Sequence, residues 1–209
     1  MPCDHKFKDY LNLDRLDFEP VTLIVGTFIP AWPAESAGEW FYGKTNNNCL
    51  WDVLPRLYGE PSLINATPAE WKQFCHDKQI VFTDLMSSID DADQHNPEHP
   101  KILAGAADRA FVYNFDDFVF VNIVHLLKQH PSIKNVYITR GITEAFWKHI
   151  WNPVVQYCNQ ANIRERRLLN PSPAEAGYQH GAYNNEHPNA VIPALEDYIL
   201  MRWQQEWHF

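Results

Sequence analysis

Closely spaced cysteines, a long apolar run and a surplus of positive charge are all missing from this chain of 209 residues. Its cysteines, Cys3, Cys49, Cys75 and Cys158, include no Cys-x-x-Cys pair to template zinc or an iron–sulfur cluster, so they read as free thiols. The ten histidines supply no His-x-His, and no His-x-x-x-His pair set on a helix, so no metal site is expected. No apolar stretch approaches the roughly 20 residues of a membrane span. No basic leader followed by an apolar run opens the sequence, which gives the expectation of a soluble, cytoplasmic protein with no membrane partner. A Gly-x-Ser-x-Gly elbow and a Gly-rich phosphate loop are also absent, which argues against a small-metabolite hydrolase or transferase. With 17 Lys and Arg against 26 Asp and Glu, the net charge of -9 opposes binding to a phosphate backbone unless positive charge is gathered locally.

What is present suits one globular domain over residues 1–209: 45% of residues are hydrophobic and 14% aromatic, enough for a large core. Short apolar or β-branched runs at Val21 to Phe28, Ile80 to Leu85, Asn135 to Thr139 and Glu165 to Leu169 predict strands. Thr67-Pro68-Ala69-Glu70 has the form of a capping box with proline at the first helical position, so a helix should begin there. Asn114 is a second candidate cap, for a helix carrying Phe115, Phe118, Val119, Asn122, Ile123, Leu126 and Leu127 and ending at Pro131. A further helix is expected from Thr143 until Pro153 breaks or kinks it, and a last one from near Asn189 to Trp207. Alternation of strand and helix predicts an α/β protein, a three-layer α/β/α sandwich on a four-stranded parallel sheet.

Two segments stand out. The stretch from Gly26 to Trp51 exceeds the few residues of an ordinary strand-to-helix turn. It carries turn formers, aromatics (Trp32, Trp40, Phe41, Tyr42) and the run Lys44-Thr45-Asn46-Asn47-Asn48. Its aromatics either stack on a ligand or pack the loop onto the protein. The second segment, Asn170-Pro171-Ser172-Pro173, follows the last strand. Both follow strands of the parallel sheet, where such folds place their ligands.

Gly26-Thr27-Phe28-Ile29-Pro30, Tyr42-Gly43-Lys44, Asn48-Cys49-Leu50-Trp51 and Asn170-Pro171-Ser172 together resemble the motifs of the uracil-DNA glycosylase superfamily, nearest its mismatch-specific uracil/thymine and hypoxanthine branches. The resemblance implies a monofunctional glycosylase that hydrolyses the N-glycosidic bond of a deaminated base, hypoxanthine or uracil, in base excision repair. It implies a modified-base duplex or single strand of DNA as partner, a monomer, and no cofactor. Tyr42 would stack on the flipped base, with Gly26, Thr27, Phe28 and Gly43 around it. Asn48, or Asn47 given the loop length, would align water; Asn170 would contact the base or leaving group. Pro171, Ser172 and Pro173 would begin a loop, running to Ala176, that presses into the minor groove. Asp84 and Ser87 fall where relatives read the base edge, and Trp51 would be a buried helix residue.

The chain also departs from the pattern. Thr27, Phe28 and Ile29 stand in a turn where many members have an Asp or Asn for water, and Glu175 is a discordant charge in the second loop. Arg164, Arg166, Arg167, Lys44 and Arg140 are the candidate phosphate contacts. A non-catalytic nucleic-acid or protein-binding relative is the alternative these departures leave open.

Overall fold

The structure, a computed structural model, describes residues 1–209 apart from 34–37, 44–47 and 106–107. Its first half contains β1 (Cys3–Asp4), β2 (Thr22–Gly26), α1 (Leu50–Leu57), α2 (Pro68–Lys78), β3 (Ile80–Asp84), β4 (Met86–Ile89), α3 (Glu98–Ala104) and α4 (Asp108–Asn114). The second half contains β5 (Phe118–Phe120), α5 (Ile123–Gln129), β6 (Asn135–Ile138), α6 (Ala145–Ala161), β7 (Arg164–Arg167), α7 (Pro173–Glu186) and α8 (Leu195–Glu206). β3, β2, β6 and β7 form, in that order, a four-stranded sheet in which every pair is parallel. Helices flank this sheet as the α/β/α pattern requires. β2, β3 and β6 are buried along their whole length, which accounts for their continuous apolar runs; β7, at the edge, carries charge instead.

Tryptophans organise the core and tie it to the strand ends. Trp51 of α1 stacks on Trp71 of α2 with ring centroids 5.3 Å apart, and its Nε1 donates to Phe41 O at 2.8 Å. Trp203 of α8 donates to Leu169 O at 2.7 Å, fixing the chain where it leaves β7. Trp207 stacks on Tyr137 of β6 at 4.4 Å. Each buried indole named here satisfies its N–H or adds a stacked face, as large amphipathic rings must. The capping box at Thr67 is formed: Thr67 Oγ1 accepts from Glu70 N–H, and Glu70 Oε2 accepts from Thr67 N–H at 2.7 Å.

The expected helix from Asn114 is a strand followed by a shorter helix. Phe118–Phe120 pairs antiparallel with β4, and β4 pairs antiparallel with β1, giving a three-stranded sheet that strand-helix alternation did not announce. The helix starts at Ile123 because Asn122 is its cap, its Oδ1 accepting from His125 N–H at 3.0 Å. Asn114 instead ends α4 and donates to Ala110 O. Pro153 lies inside the 17-residue α6, which starts at Ala145. The last helix starts at Leu195 rather than near Asn189: α7 ends at Glu186, a turn closed by Ala190 N–H on His187 O follows, and Pro193 stands just ahead of the helix.

Candidate functional site

Register brings the carboxyl ends of β2 and β3 together, with Gly26 opposite Asp84. Asp84 is 1% exposed and ends β3, a sheet-edge strand that is nonetheless buried along its whole length, a position that costs free energy unless both oxygens find partners. One does: His5 Nε2 lies 2.7 Å from Asp84 Oδ2. Phe7 N–H donates to His5 Nδ1 at 2.9 Å, so in the neutral ring Nε2 bears the hydrogen and donates to the carboxylate. The other oxygen, Asp84 Oδ1, is buried and has no hydrogen-bond partner among the described residues.

Gly26 leaves room for this arrangement. A Cβ there would collide with Asp84 Oδ1 and with the Tyr42 hydroxyl, so the bare backbone lets both polar groups meet over the strand end. Tyr42 has φ of 59° and its hydroxyl lies 2.9 Å from Thr139 Oγ1, at the end of β6. Desolvation holds its phenol well above the ordinary value, with the charges of Asp84 and Asp108 adding to the effect. Gly43 follows because a side chain would run into the Trp71 ring, and its N–H closes a turn onto Trp40 O at 2.9 Å.

The two loops singled out by sequence touch. Cys49 N–H donates to Pro171 O at 2.8 Å, which puts Asn48 and Asn170 on adjoining segments. Asn48 Oδ1 accepts from Leu50 N–H at 2.8 Å and thereby serves the start of α1. Asn47 and Lys44 lie outside the described residues. Asn170 Oδ1 accepts from Ser172 N–H, and its Nδ2 donates to Glu175 Oε2, both at 2.9 Å. The expected loop from Pro171 to Ala176 is thus a turn plus the first turn of α7, with Ser172 as N-cap and Pro173 opening the helix. Glu175 is no misfit there, since a carboxylate favours a helix amino end. Phe28 packs edge-on between His5 and Phe111, and Ser87 lies on β4, where its carbonyl holds His5 N–H and its hydroxyl donates to Val119 O.

A second carboxylate stands at the turn after β2. Thr27 Oγ1 donates to Asp108 Oδ2 at 2.8 Å, and Arg140 Nη1 lies 3.0 Å from the same oxygen. Arg140 is buried, its guanidinium 3.4 Å from the Trp147 ring centroid and 3.6 Å from Glu144. Burial raises the Asp108 carboxyl from its ordinary value, opposed by Arg140 and Thr27 and reinforced by Asp84 and Glu175. Among the expected phosphate contacts, Arg140 is therefore committed internally and Arg167 faces Glu175 at 4.0 Å. Arg164 starts β7 opposite Asn135, at the amino end of the sheet, and Arg166 lies near Glu206.

His5, Asp108 and Thr139 join the site without having been singled out in the sequence. Each lies far along the chain from the glycine turn and carries no motif. The four cysteines are buried and free, and burial pushes Cys49, beside the loops, up to about 11, so it is no ready thiolate. Among the described residues no group of three His, Cys, Asp or Glu is arranged to hold a metal ion, and no helix is long and apolar enough to cross a membrane.

The fold superposes on the solution NMR structure of a Methanosarcina acetivorans protein described as a "putative Uracil DNA glycosylase", with a TM-score of 0.52 over 92% of this chain and 94% of that one. The fold is uracil-DNA-glycosylase-like. Identity over the match is 13%, so the likeness concerns the glycosylase-like fold and not its residues. No family model and no curated protein matches the chain.

Proposed function

We propose that the protein is a DNA glycosylase that hydrolyses the N-glycosidic bond of a deaminated base. The observation that carries this reading is Asp84 Oδ1, a buried carboxylate oxygen without a partner among the described residues, beside the Tyr42 hydroxyl over Gly26, on a carboxylate whose Oδ2 is held by His5. An acceptor set this deep is matched by the ring N–H of a base turned out of its stack, which supplies the missing hydrogen bond. Hypoxanthine and uracil both present such an N–H. Tyr42 offers an aromatic face, and the turn at Asn170-Pro171-Ser172, tied to Cys49, adjoins the loop that carries it. Asn48, or Asn47, orients water, and Asn170 meets the leaving base. DNA is the partner, and the chain acts as a monomer in the cytoplasm, on a single domain and without cofactor.

Labelled duplexes and single strands, each with one hypoxanthine, uracil, xanthine or mismatched thymine, test the reading. Release of free base and an alkali-labile abasic site is the expected result; no release from any of them would remove it.

The engagement of Arg140 and Arg167 by carboxylates favours a second reading, a ligand without a phosphate backbone at the same strand ends. Free nucleosides in the same assay distinguish it: cleavage of inosine or uridine with inert duplexes selects the small substrate.

A further inference from the structure

Hydrolysis of an N-glycosidic bond passes through a sugar with oxocarbenium-like positive charge, and is aided by a negative group that faces the sugar and takes a proton from water. Thr27, Phe28 and Ile29 supply no carboxylate to the turn after β2, and an amide such as that of Asn48 orients water but cannot take its proton. Asp108, brought from α4, reaches that turn, with Oδ2 held by Thr27 Oγ1 at 2.8 Å.

Depth separates it from Asp84. The Asp84 side chain is 2% exposed and that of Asp108 is 26% exposed, while both flank the Gly26-Thr27 backbone. A base whose edge reaches the more deeply buried Asp84 would leave its sugar on the solvent side, the side of the more exposed Asp108. We propose that Asp108 is the catalytic carboxylate of this site. This role rests on the glycosylase reading. Water oxygen bonds to C1′, the C1′–N bond breaks with its electron pair passing to the base nitrogen, and Asp108 takes the water proton. The base nitrogen gains a proton from solvent, to which Asp108 returns its own. Thr27 and Arg140 fix the carboxylate, and Arg140 Nη1, although close, is not aligned as a hydrogen-bond donor to it.

Two measurements test the role. Asp108→Asn should slow single-turnover base release by about 100-fold or more, the range of a lost general base. Affinity should be compared for duplexes carrying a cationic pyrrolidine or a neutral tetrahydrofuran in place of the reacting sugar. The wild type should prefer the cation, and Asp108→Asn should lose that preference. Thr27→Val, nearly isosteric, keeps the carboxylate but frees it to turn; it should slow release less and retain part of the preference, a check should Asp108→Asn fold poorly. Base release by Asp108→Asn at the wild-type rate, or an unchanged preference, overturns the assignment while leaving the glycosylase reading intact. A wild type that releases no base and binds neither duplex removes both together.

Discussion

His5 is the residue on which the floor of the site depends. Its ring is fully buried and bonded on both nitrogens, to Phe7 N–H and to Asp84. Removing it strands a buried carboxylate with neither oxygen paired, which is costlier than losing one exposed hydrogen bond. His5→Ala should therefore lower unfolding stability by about 3 kcal/mol, read from urea denaturation. Replacing Asp84 as well, by Asn, should recover part of the loss, because no charge is then left alone. Equal destabilisation in single and double variants would show that the pair contributes packing only.

At the scale of elements, motifs with local chemistry were legible and partner choice was not. The Thr67 box is written in four adjacent residues, and its bonds form as its sequence predicts. Thr67→Ala should lower stability by about 1 kcal/mol, the usual cost of a lost cap. Its partner Glu70 is held below its ordinary value by the Thr67 backbone N–H and hydroxyl. That bond is therefore complete above the ordinary carboxylate range and fades as pH falls through the lowered value. The difference between wild type and Thr67→Ala should narrow in acid. Phe115 to Leu127 misled for the opposite reason: its apolar spacing fits a helix, but Phe118–Phe120 finds β4 as a partner some 30 residues upstream, and Asn122 provides a better-placed cap. β2, β3 and β6 were readable because strands covered on both faces must be largely apolar, while the charged edge strand β7 was marked by the apolar Leu168-Leu169 that follows it. The antiparallel sheet was not, since its strands of two to four residues are too short for alternation to speak.

Across the whole molecule, the sequence motifs brought Tyr42, Asn48 and Asn170 to one end of the sheet, while the charges that surround them came from elsewhere. Asp108 and His5 were invisible because nothing in a single chain records that residues 81 and 79 positions apart will meet. The same holds for the arginines: those nearest in sequence to the second loop include Arg164, at the far end of its strand, and Arg167, opposed by Glu175. Glu175→Gln should release Arg167, tighten duplex binding several-fold at low salt and steepen its decline as salt rises, since one more cation then displaces counterions. Filter binding across a salt series checks this; unchanged affinity would place the DNA path away from α7.

The contact between His5 and Asp84 also has a temporal side. During synthesis the amino end emerges first, yet its binding place in β3 and β4 appears only after some 80 further residues. Contacts between distant positions wait on closure of the loop between them. The buried pair of His5 and Asp84 is therefore a late product of folding, and a chain stalled before β4 would hold its first strand unpaired and His5 open to water.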